Sequence, residues 1–398
     1  MPDQDRTKKI LFALIIAIVV ILVGYAFYRF VLSRATNVAP AKTTQPLVEG
    51  RIGQQTTTIV PPGFPSITPI PPATEGLQDQ IKEQILLALT DFPVTSPVIN
   101  KNQDKIIFYK KDGGTMFSAD FTGKLEKLSN LTIIGLAQTL WSPARDRGAV
   151  FYIDQETLKS FLHIGTSTVL SLPYNIKSLS WSPDGKSFAY LLEQDTILSL
   201  IISDATGKNS KVVFKTPILD AQIQWITADK IAFQTAPSAN AQGFIFIYSR
   251  ANGSFRRILG PTYGLDSLWS PDGSHVLAIS TSSNGKKLQL SLYSSSGQEQ
   301  QKLTFATLPE KCAWQNLKEF YCAVPKEIPD AIMMPDDYLR AEFATQDYIL
   351  SYNIETKDTR KILEGGAMDM TNLGITKNND YLIFVNRTDG ILWRLKLK

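Results

Sequence analysis

A degenerate motif recurs seven times along the last three-quarters of the chain, and it limits the possible folds more than any other feature. Five copies begin with tryptophan; the two fullest read WSPDGKSFAYLL from Trp181 and WSPDGSHVLAIS from Trp269. The copies begin at residues 99, 141, 181, 225, 269, 314 and 375, so the intervals are 42, 40, 44, 44, 45 and 61 residues. A period of about 40–50 residues built from short strands is typical of a β-propeller.

Each period has the strands and turn signals of a four-stranded antiparallel blade. An apolar strand ends at the first residue of the motif, and Pro183, Asp184 and Gly185 then form a tight turn. Proline presets φ, aspartate hydrogen-bonds its own backbone, and glycine accepts a positive φ. The sequence therefore predicts an all-β, seven-bladed propeller over residues 77–398. Six blades is the alternative, because several copies have lost the proline, the glycine or the tryptophan.

The repeat resembles that of TolB-type, WD-like β-propellers, and it is similar to the propeller repeat of prolyl-oligopeptidase-type enzymes. The resemblance covers roughly residues 96–398 and rests on the Trp-Ser-Pro-Asp-Gly copies at Trp181 and Trp269. It implies a periplasmic or surface module that docks proteins or gates substrates. The tryptophans are large rings suited to packing between neighbouring blades, so we assign them a structural role.

The N-terminal segment predicts a membrane anchor followed by a stalk. Residues 10–28 form an uncharged apolar run long enough to cross a bilayer as a helix. The basic residues before it favour a cytoplasmic N-terminus of residues 1–9 and a propeller outside, at the cell surface or in the periplasm. A cleaved signal peptide is the alternative, with Ala39-Pro40-Ala41 as its cleavage site. Residues 29–76 are rich in proline and threonine and predict a semi-rigid stalk.

The last repeat lacks a fourth strand, because the chain stops at Lys398 after three. In the other repeats an apolar fourth-strand residue falls 11 to 13 positions before the next copy. Counting back from Ile99 gives residues 86–88, so a strand near 86–90 is expected to close the ring beside the strand that contains Trp393. The competing interpretation is a local helix, because residues 77–89 are rich in helix formers.

The two cysteines of the chain predict a disulfide. Cys312 and Cys322 flank a hairpin turn centred near Leu317, so they are expected to stand opposite each other on paired strands. Two buried free thiols, as in a cytosolic protein, are the alternative.

Three residues before each copy of the motif stands a polar residue inside an otherwise apolar strand. Repeat symmetry places these seven residues near the start of each inner strand, where the axial funnel opens. One interpretation is that they bridge backbone groups or water; the other is a polar ring that binds a peptide or small ligand. They are Ser96, Gln138, Ser178, Gln222, Asp266, Lys311 and Asn372.

The longest interval contains about 17 extra residues, which fall near 326–346. Insertions on a repeat scaffold often form binding loops, so this segment is expected to protrude and to contact a partner. Met333 and Met334 fit either an adaptable partner contact or a cap on the core of their own blade. Pro335 and the acidic residues after it predict the start of a helix.

Few residues suit catalysis or metal binding. The chain has two histidines, His163 and His275, and both fall in strands where packed or surface roles are expected. No Gly-x-Ser-x-Gly motif, phosphate-binding loop, basic run or paired metal-ligand motif occurs, so we expect no cofactor and no nucleic acid partner.

We therefore expect a non-enzymatic, membrane-anchored module that binds another protein or a cell-envelope polymer. An enzyme that uses the axial funnel, such as a lactonase or lyase, is the alternative, and converging acidic residues in the funnel would favour it. A regulatory propeller subunit of a membrane complex is the third possibility.

Overall fold

The computed structural model describes residues 85–398, which form seven four-stranded antiparallel sheets. Strands are given from the axis outward. Blade 1 comprises β2 (Val94–Ile99), β3 (Lys105–Lys110), β4 (Met116–Asp120) and β5 (Leu125–Lys127), and blade 2 comprises β6 (Leu136–Trp141), β7 (Arg147–Asp154), β8 (Thr157–Ile164) and β9 (Thr168–Ser171). Blade 3 comprises β10 (Ile176–Trp181), β11 (Ser187–Gln194), β12 (Ile197–Asp204) and β13 (Lys211–Thr216). Blade 4 comprises β14 (Gln222–Trp225), β15 (Lys230–Gln234), β16 (Gln242–Ser249) and β17 (Phe255–Tyr263), and blade 5 comprises β18 (Asp266–Trp269), β19 (His275–Ser280), β20 (Gln289–Ser294) and β21 (Glu299–Lys302). Blade 6 comprises β22 (Cys312–Trp314), β23 (Glu319–Pro325), β24 (Asp347–Asn353) and β25 (Thr359–Leu363).

Blade 7 comprises β26 (Met370–Ile375), β27 (Tyr381–Asn386), β28 (Leu392–Lys396) and, outermost, β1 (Leu86–Ala88). The first strand of each sheet lies at the axis: β2 contacts β6, β6 contacts β10, β10 contacts β14, β22 contacts β26, and β26 contacts β2. A short 3-10 helix, Pro309–Lys311, leads into β22, and helix α1, Asp336–Leu339, lies between β23 and β24. The seven-bladed propeller is thus confirmed, and the six-bladed alternative is wrong.

The ring closes through strand β1. Leu86 lies opposite Leu395 and Ala88 lies opposite Trp393, which is the pairing that the repeat spacing predicts. The helical alternative is absent from residues 86–88, because pairing with β28 outweighs the local helix propensity. The predicted membrane span at 10–28 and the stalk lie outside the described residues. Within residues 85–398, no helix is long and apolar enough to cross a membrane.

The second strand of each blade packs between two neighbouring blades, which explains its composition. In β11, the four consecutive residues from Phe188 to Leu191 are all buried. Strands buried on both faces contain continuous apolar runs instead of alternating with polar residues. These strands form the cores between blades and hold the innermost strands in place around the axis.

The motif builds one face of the propeller. We call the face where the innermost strands end the lower face and the face where they begin the upper face. The residue that ends each innermost strand, tryptophan in five of the seven blades, and the turn that follows it lie at the lower face. Blades 3 and 5 have the full Ser-Pro-Asp-Gly turn. In this turn the Ser182 hydroxyl donates to Asp184 Oδ1 over 2.7 Å, and Gly185 has a φ of +70°. The motif is therefore conserved between blades 3 and 5 because both need the same turn after the innermost strand.

Candidate functional site in the axial cavity

The axis contains a cavity of about 880 Å³ lined by innermost-strand residues of several blades. Ser96, Gln138 and Asn372 line it, and Gln222 and Asp266 line a smaller cavity of about 90 Å³. The two cavities share Gln224 and Trp269 in their walls. Five of the seven predicted polar residues therefore meet along the axis, and Ser178 and Lys311 do not line either cavity.

The two serines of the set bridge neighbouring blades. The Ser96 hydroxyl accepts a hydrogen bond from the Thr139 backbone N–H over 2.7 Å, and the Ser178 hydroxyl accepts one from the Ile223 N–H over 2.9 Å. Each bond joins the innermost strand of one blade to that of the next. Because the edge donors of these strands have no sheet partner across the axis, the serine hydroxyls satisfy them.

The lower mouth of the cavity has aromatic and proline walls. The tryptophans that line it also join blades: Trp141 Nε1 donates to the Ser96 carbonyl and Trp181 Nε1 donates to the Leu140 carbonyl, each over 2.8 Å. Three of the five rings are buried and the other two are half-buried. The walls of the mouth include Trp141, Trp181, Trp225, Trp269, Trp314, Pro143, Pro183 and Pro271. These contacts agree with the structural role expected for the rings.

Arg145 brings a positive charge to this mouth. The residue belongs to the turn after β6, is half-buried and lines the cavity. Burial lowers the pKa of its guanidinium from the ordinary value. The one hydrogen bond of its side chain within the described residues runs from Nη1 to the Ser142 carbonyl over 3.4 Å, which is longer than a strong bond.

Two acidic side chains lie toward the upper end of the axis. Asp266 Oδ1 accepts hydrogen bonds from Gln234 Nε2 and from the Ser267 N–H, each over 2.8 Å. Burial nevertheless raises the pKa of Asp266. Burial also raises the pKa of Glu310, and the negative charge of Asp266 adds to that shift. Glu310 precedes β22 in the blade next to that of Asp266 and lines neither cavity, so the charge of Asp266 reaches it from the neighbouring blade.

Lys311 belongs to a buried charge network instead of the polar ring. Its side chain is fully buried, and Nζ lies 2.7 Å from Asp347 Oδ2 and 2.5 Å from Asp369 Oδ1. Nζ also donates to Thr345 Oγ1 over 2.7 Å and to the Tyr338 hydroxyl over 3.2 Å. Lys311 therefore does not join the other polar residues: its ammonium group is directed to these buried acceptors, and the residue lines neither cavity.

The network shifts the pKa values of two carboxyl groups in opposite directions. Burial would raise the pKa of Asp369, but the charge and hydrogen bonds of Lys311, with those of Tyr338 and Thr345, hold it below its ordinary value. For Asp347 the burial effect prevails over Lys311 and raises the pKa. Asp347 Oδ1 is buried and has no hydrogen-bond partner within the described residues, which is consistent with the weaker stabilisation of its charged form.

The segment 326–346 folds over the upper ends of blades 4 to 7 and does not protrude. Asp336 accepts hydrogen bonds from Ser238 Oγ and from the Ala239 N–H of blade 4. Tyr338 is fully buried, its hydroxyl donates to Asp369 Oδ1, and its carbonyl accepts a 2.6 Å bond from Arg387 of blade 7.

Burial of the insertion also decides between the two roles considered for its methionines. Met334 is buried in the core between blades 5 and 6 and Met333 is half-buried, so Met334 caps this core. The helix predicted after Pro335 is present as the single turn α1. The expectation of a protruding loop is therefore wrong, because the segment packs on the propeller; its contact with a partner stays a prediction.

The remaining sulfur and imidazole groups have structural partners. Cys312 and Cys322 lie directly opposite each other on β22 and β23 and form a disulfide, as expected. His163 is buried, with Nδ1 2.6 Å from the Tyr109 hydroxyl, and His275 contacts the Ser274 hydroxyl. Neither histidine lines the axial cavity. Within residues 85–398, no three histidine, cysteine or acidic side chains are grouped to hold a metal ion.

Sequence reasoning missed Arg145, Gln224 and Glu310. Arg145 had a detectable signal, because it occupies the place of Gly185 in an otherwise similar turn. Gln224 had a weaker one, as a polar residue directly before a motif tryptophan. Glu310 had none, since its position depends on the 3-10 helix that precedes β22.

No family model and no curated protein matches the chain. Among solved structures, oligogalacturonate lyase from Vibrio parahaemolyticus aligns with a TM-score of 0.55 and 12% identity, covering 79% of this chain and 93% of that one. The β-propeller domain of the Trilobed protease from Pyrococcus furiosus, described as having an open velcro topology, aligns at 0.50 and 13%, covering 77% and 97%. A putative TolB from Agrobacterium tumefaciens aligns at 0.39 and 16%, covering 55% and 87%. At these identities the likeness shows the propeller fold alone.

Proposed function

We propose that this chain is a membrane-anchored, extracytoplasmic module of the TolB-like type whose axial cavity binds a segment of another protein or of a cell-envelope polymer. The observation that supports it is the cavity of about 880 Å³ with amide side chains in its wall. Gln138 and Gln224 form no side-chain hydrogen bond within residues 85–398. Since an amide both donates and accepts, these groups suit the backbone of an extended chain.

The geometry of the two faces favours entry from below. The insertion covers the upper ends of blades 4 to 7, whereas the cavity reaches the lower turns at Pro143, Pro183 and Pro271. A ligand from the lower side would pass the tryptophan walls and reach the amides of the innermost strands. The rigid blades hold these groups in place before a ligand arrives, which lowers the entropic cost of binding.

Photo-crosslinking of the full-length protein in its membrane tests this proposal. A photoreactive amino acid at Gln138 samples the cavity, and the same amino acid at Lys127, on the outer strand of blade 1, is the matched control. We expect a defined crosslinked species from position 138 and not from position 127. Equal yields at both positions, or none at 138, would count against a ligand in the cavity. Co-purification of a stable complex without crosslinking would favour a regulatory subunit.

The anchor has its own test. We expect mass spectrometry of the membrane-extracted protein to recover peptides from residues 1–9, and protease added to intact cells to cleave the propeller. A mature N-terminus near Ala41 would mean a cleaved signal peptide. Protection of the propeller in intact cells would mean that it lies inside.

An enzyme that uses the axial channel is the second candidate function, and the carboxyl groups of Asp266 and Glu310 favour it. Both have a raised pKa, so either acts as a proton donor at a higher pH than an ordinary carboxyl group. One aligned structure is an oligogalacturonate lyase. Incubation with oligogalacturonate, followed by absorbance of the unsaturated product, tests this candidate. Product formation by the native protein but not by Glu310→Gln would establish the enzymatic function. If no product forms while a control lyase is active, oligogalacturonate is not a substrate.

A further inference from the structure

The turn after β6 departs from the repeat at one residue. Blades 3 and 5 place Gly185 and Gly273 at the left-handed position of this turn, with φ of +70° and +69°. Blade 2 places Arg145 there, with φ of +60°. Side chains rarely adopt this conformation, and residues that do so concentrate at functional sites.

Other blades with a side chain at this position use it to join blades. Gln103 Oε1 accepts a hydrogen bond from the Lys377 N–H over 2.9 Å, and Asn379 Nδ2 donates to the Tyr321 hydroxyl over 3.0 Å. Arg145 makes no contact of this kind. Its long bond to Ser142 stays within its own turn, so joining blades does not explain the arginine.

The guanidinium of Arg145 has no carboxylate partner within the described part of the chain. The adjacent Arg147 differs, because its Nη2 lies 2.8 Å from Asp146 Oδ2. A half-buried cation without a counterion is costly, and burial accordingly lowers the Arg145 pKa. An anionic ligand in the cavity would supply the missing partner, in the planar two-bond geometry that arginine offers to carboxylates.

The axis is electrically polarised. Arg145 lies at the lower mouth, whereas Asp266 and Glu310 lie toward the upper end. A negative group is therefore attracted to the mouth and repelled from the interior, so a ligand with one carboxylate would be held in a single orientation. The amides Gln138 and Gln224, which form no side-chain hydrogen bond within residues 85–398, lie between these two ends of opposite charge.

We propose that Arg145 binds a carboxylate of an extended peptide segment that enters the axial cavity from the lower face. This inference rests on the proposed binding function and names its ligand class. The amides match peptide backbone groups, which alternate donors and acceptors. A saccharide is a poorer fit, since three of the five rings are buried and do not offer their faces for stacking on sugars. The two half-buried rings already pack on other rings: Trp141 stacks on Tyr109 and Trp314 lies against Phe320.

Peptide titrations of the full-length protein in detergent test the proposal, with tryptophan fluorescence as the readout. The probes are pools of acetylated pentapeptides without tryptophan or acidic side chains, bearing either a free or an amidated C-terminus, and an amidated pool with a central glutamate. Oligogalacturonate is a separate probe. The variants are Arg145→Gly, which supplies the residue found in blades 3 and 5, and the control Arg147→Gln.

We expect at least one carboxylate pool to bind about ten- to a hundredfold more tightly than the neutral amidated pool, more weakly at high salt. The free C-terminus and central glutamate pools distinguish a terminal from a side-chain carboxylate. Arg145→Gly should reduce binding to the level of the neutral pool without lowering the melting temperature, since glycine relieves the positive φ. Arg147→Gln should retain binding.

Four outcomes would overturn the proposal. Equal binding of neutral and carboxylate pools, or unchanged binding by Arg145→Gly, would leave the cavity as a peptide site but remove the role of Arg145. Binding of oligogalacturonate in preference to every peptide would replace the peptide by an acidic saccharide. Binding of no probe would refute carboxylate peptides as ligands, and the crosslinking from position 138 would then decide the proposed function separately.

Discussion

Removing the buried cation at 311 is expected to destabilise the propeller strongly. Lys311→Met keeps much of the side-chain volume but leaves Asp347 and Asp369 without the ammonium group that lies 2.7 and 2.5 Å from them. Breaking a buried ion pair by removing one partner costs about 3–5 kcal/mol. At roughly 2 °C per kcal/mol for a domain of this size, the melting temperature should fall by roughly 6–10 °C.

The loss should depend on pH, and the sign follows from Asp347. Its folded pKa is already raised, and removal of Lys311 would raise it further. A group with a raised folded pKa contributes stability that is complete below its unfolded pKa and is lost as pH rises through the folded pKa. Protonated Asp347 tolerates burial without the ammonium group. The difference between variant and native protein should therefore be smallest below about pH 4, the ordinary aspartate pKa, and should widen as the pH rises above it.

Calorimetric or circular dichroism melts of Lys311→Met and of Lys318→Met provide the comparison. Lys318 belongs to the same blade, but its pair with Glu355 is exposed, with side chains 62% and 56% accessible. Such surface pairs contribute about 0–1 kcal/mol. Equal melting temperatures for the two variants, or a Lys311→Met deficit that does not change with pH, would refute the interpretation of a buried charge network.

Three further predictions concern stability. Reduction of the bond between Cys312 and Cys322, which closes a loop of 10 residues, should cost about 3 kcal/mol, and unchanged thermal unfolding with reductant would contradict it. Asp266→Asn should stabilise the protein to urea at neutral pH, because a carboxyl group with a raised folded pKa opposes folding once ionised. This advantage should be lost below about pH 4, and an equal gain at both pH values would contradict the raised pKa of Asp266. Leu87→Pro should cost roughly 1–3 kcal/mol and promote aggregation by disturbing the closing strand, and native light scattering with an unchanged melting temperature would contradict that role.

The sequence was sufficient to predict the blades because their signals are local. The turn at Pro183-Asp184-Gly185 and the following apolar strand encode one hairpin, and repetition of that hairpin encodes the ring. The closing strand at 86–88 could also be predicted, since spacing from Ile99 constrained it more strongly than helix propensity did. The disulfide followed from the same hairpin symmetry.

The upper face could not be predicted in the same way. Lys311 pairs with Asp347 and Asp369, which lie 36 and 58 residues further along the chain and outside the repeat pattern. The length of the interval revealed an insertion, but not that Tyr338 would complete that network. Replacement of 326–346 by a short flexible loop is therefore expected to destabilise the fold, which a protruding loop would not do.

Blocking the cavity without disturbing the blades tests the central claim most directly. Gln138→Trp introduces a large side chain at a residue that is exposed to the cavity and makes no side-chain hydrogen bond within residues 85–398. Lys127→Trp is the control on the outer strand of blade 1. The partner recovered by crosslinking should bind the control as it binds the native protein and should lose affinity for Gln138→Trp at least about tenfold, with equal melting temperatures. Unchanged affinity for Gln138→Trp would show that the partner binds elsewhere and would contradict the account.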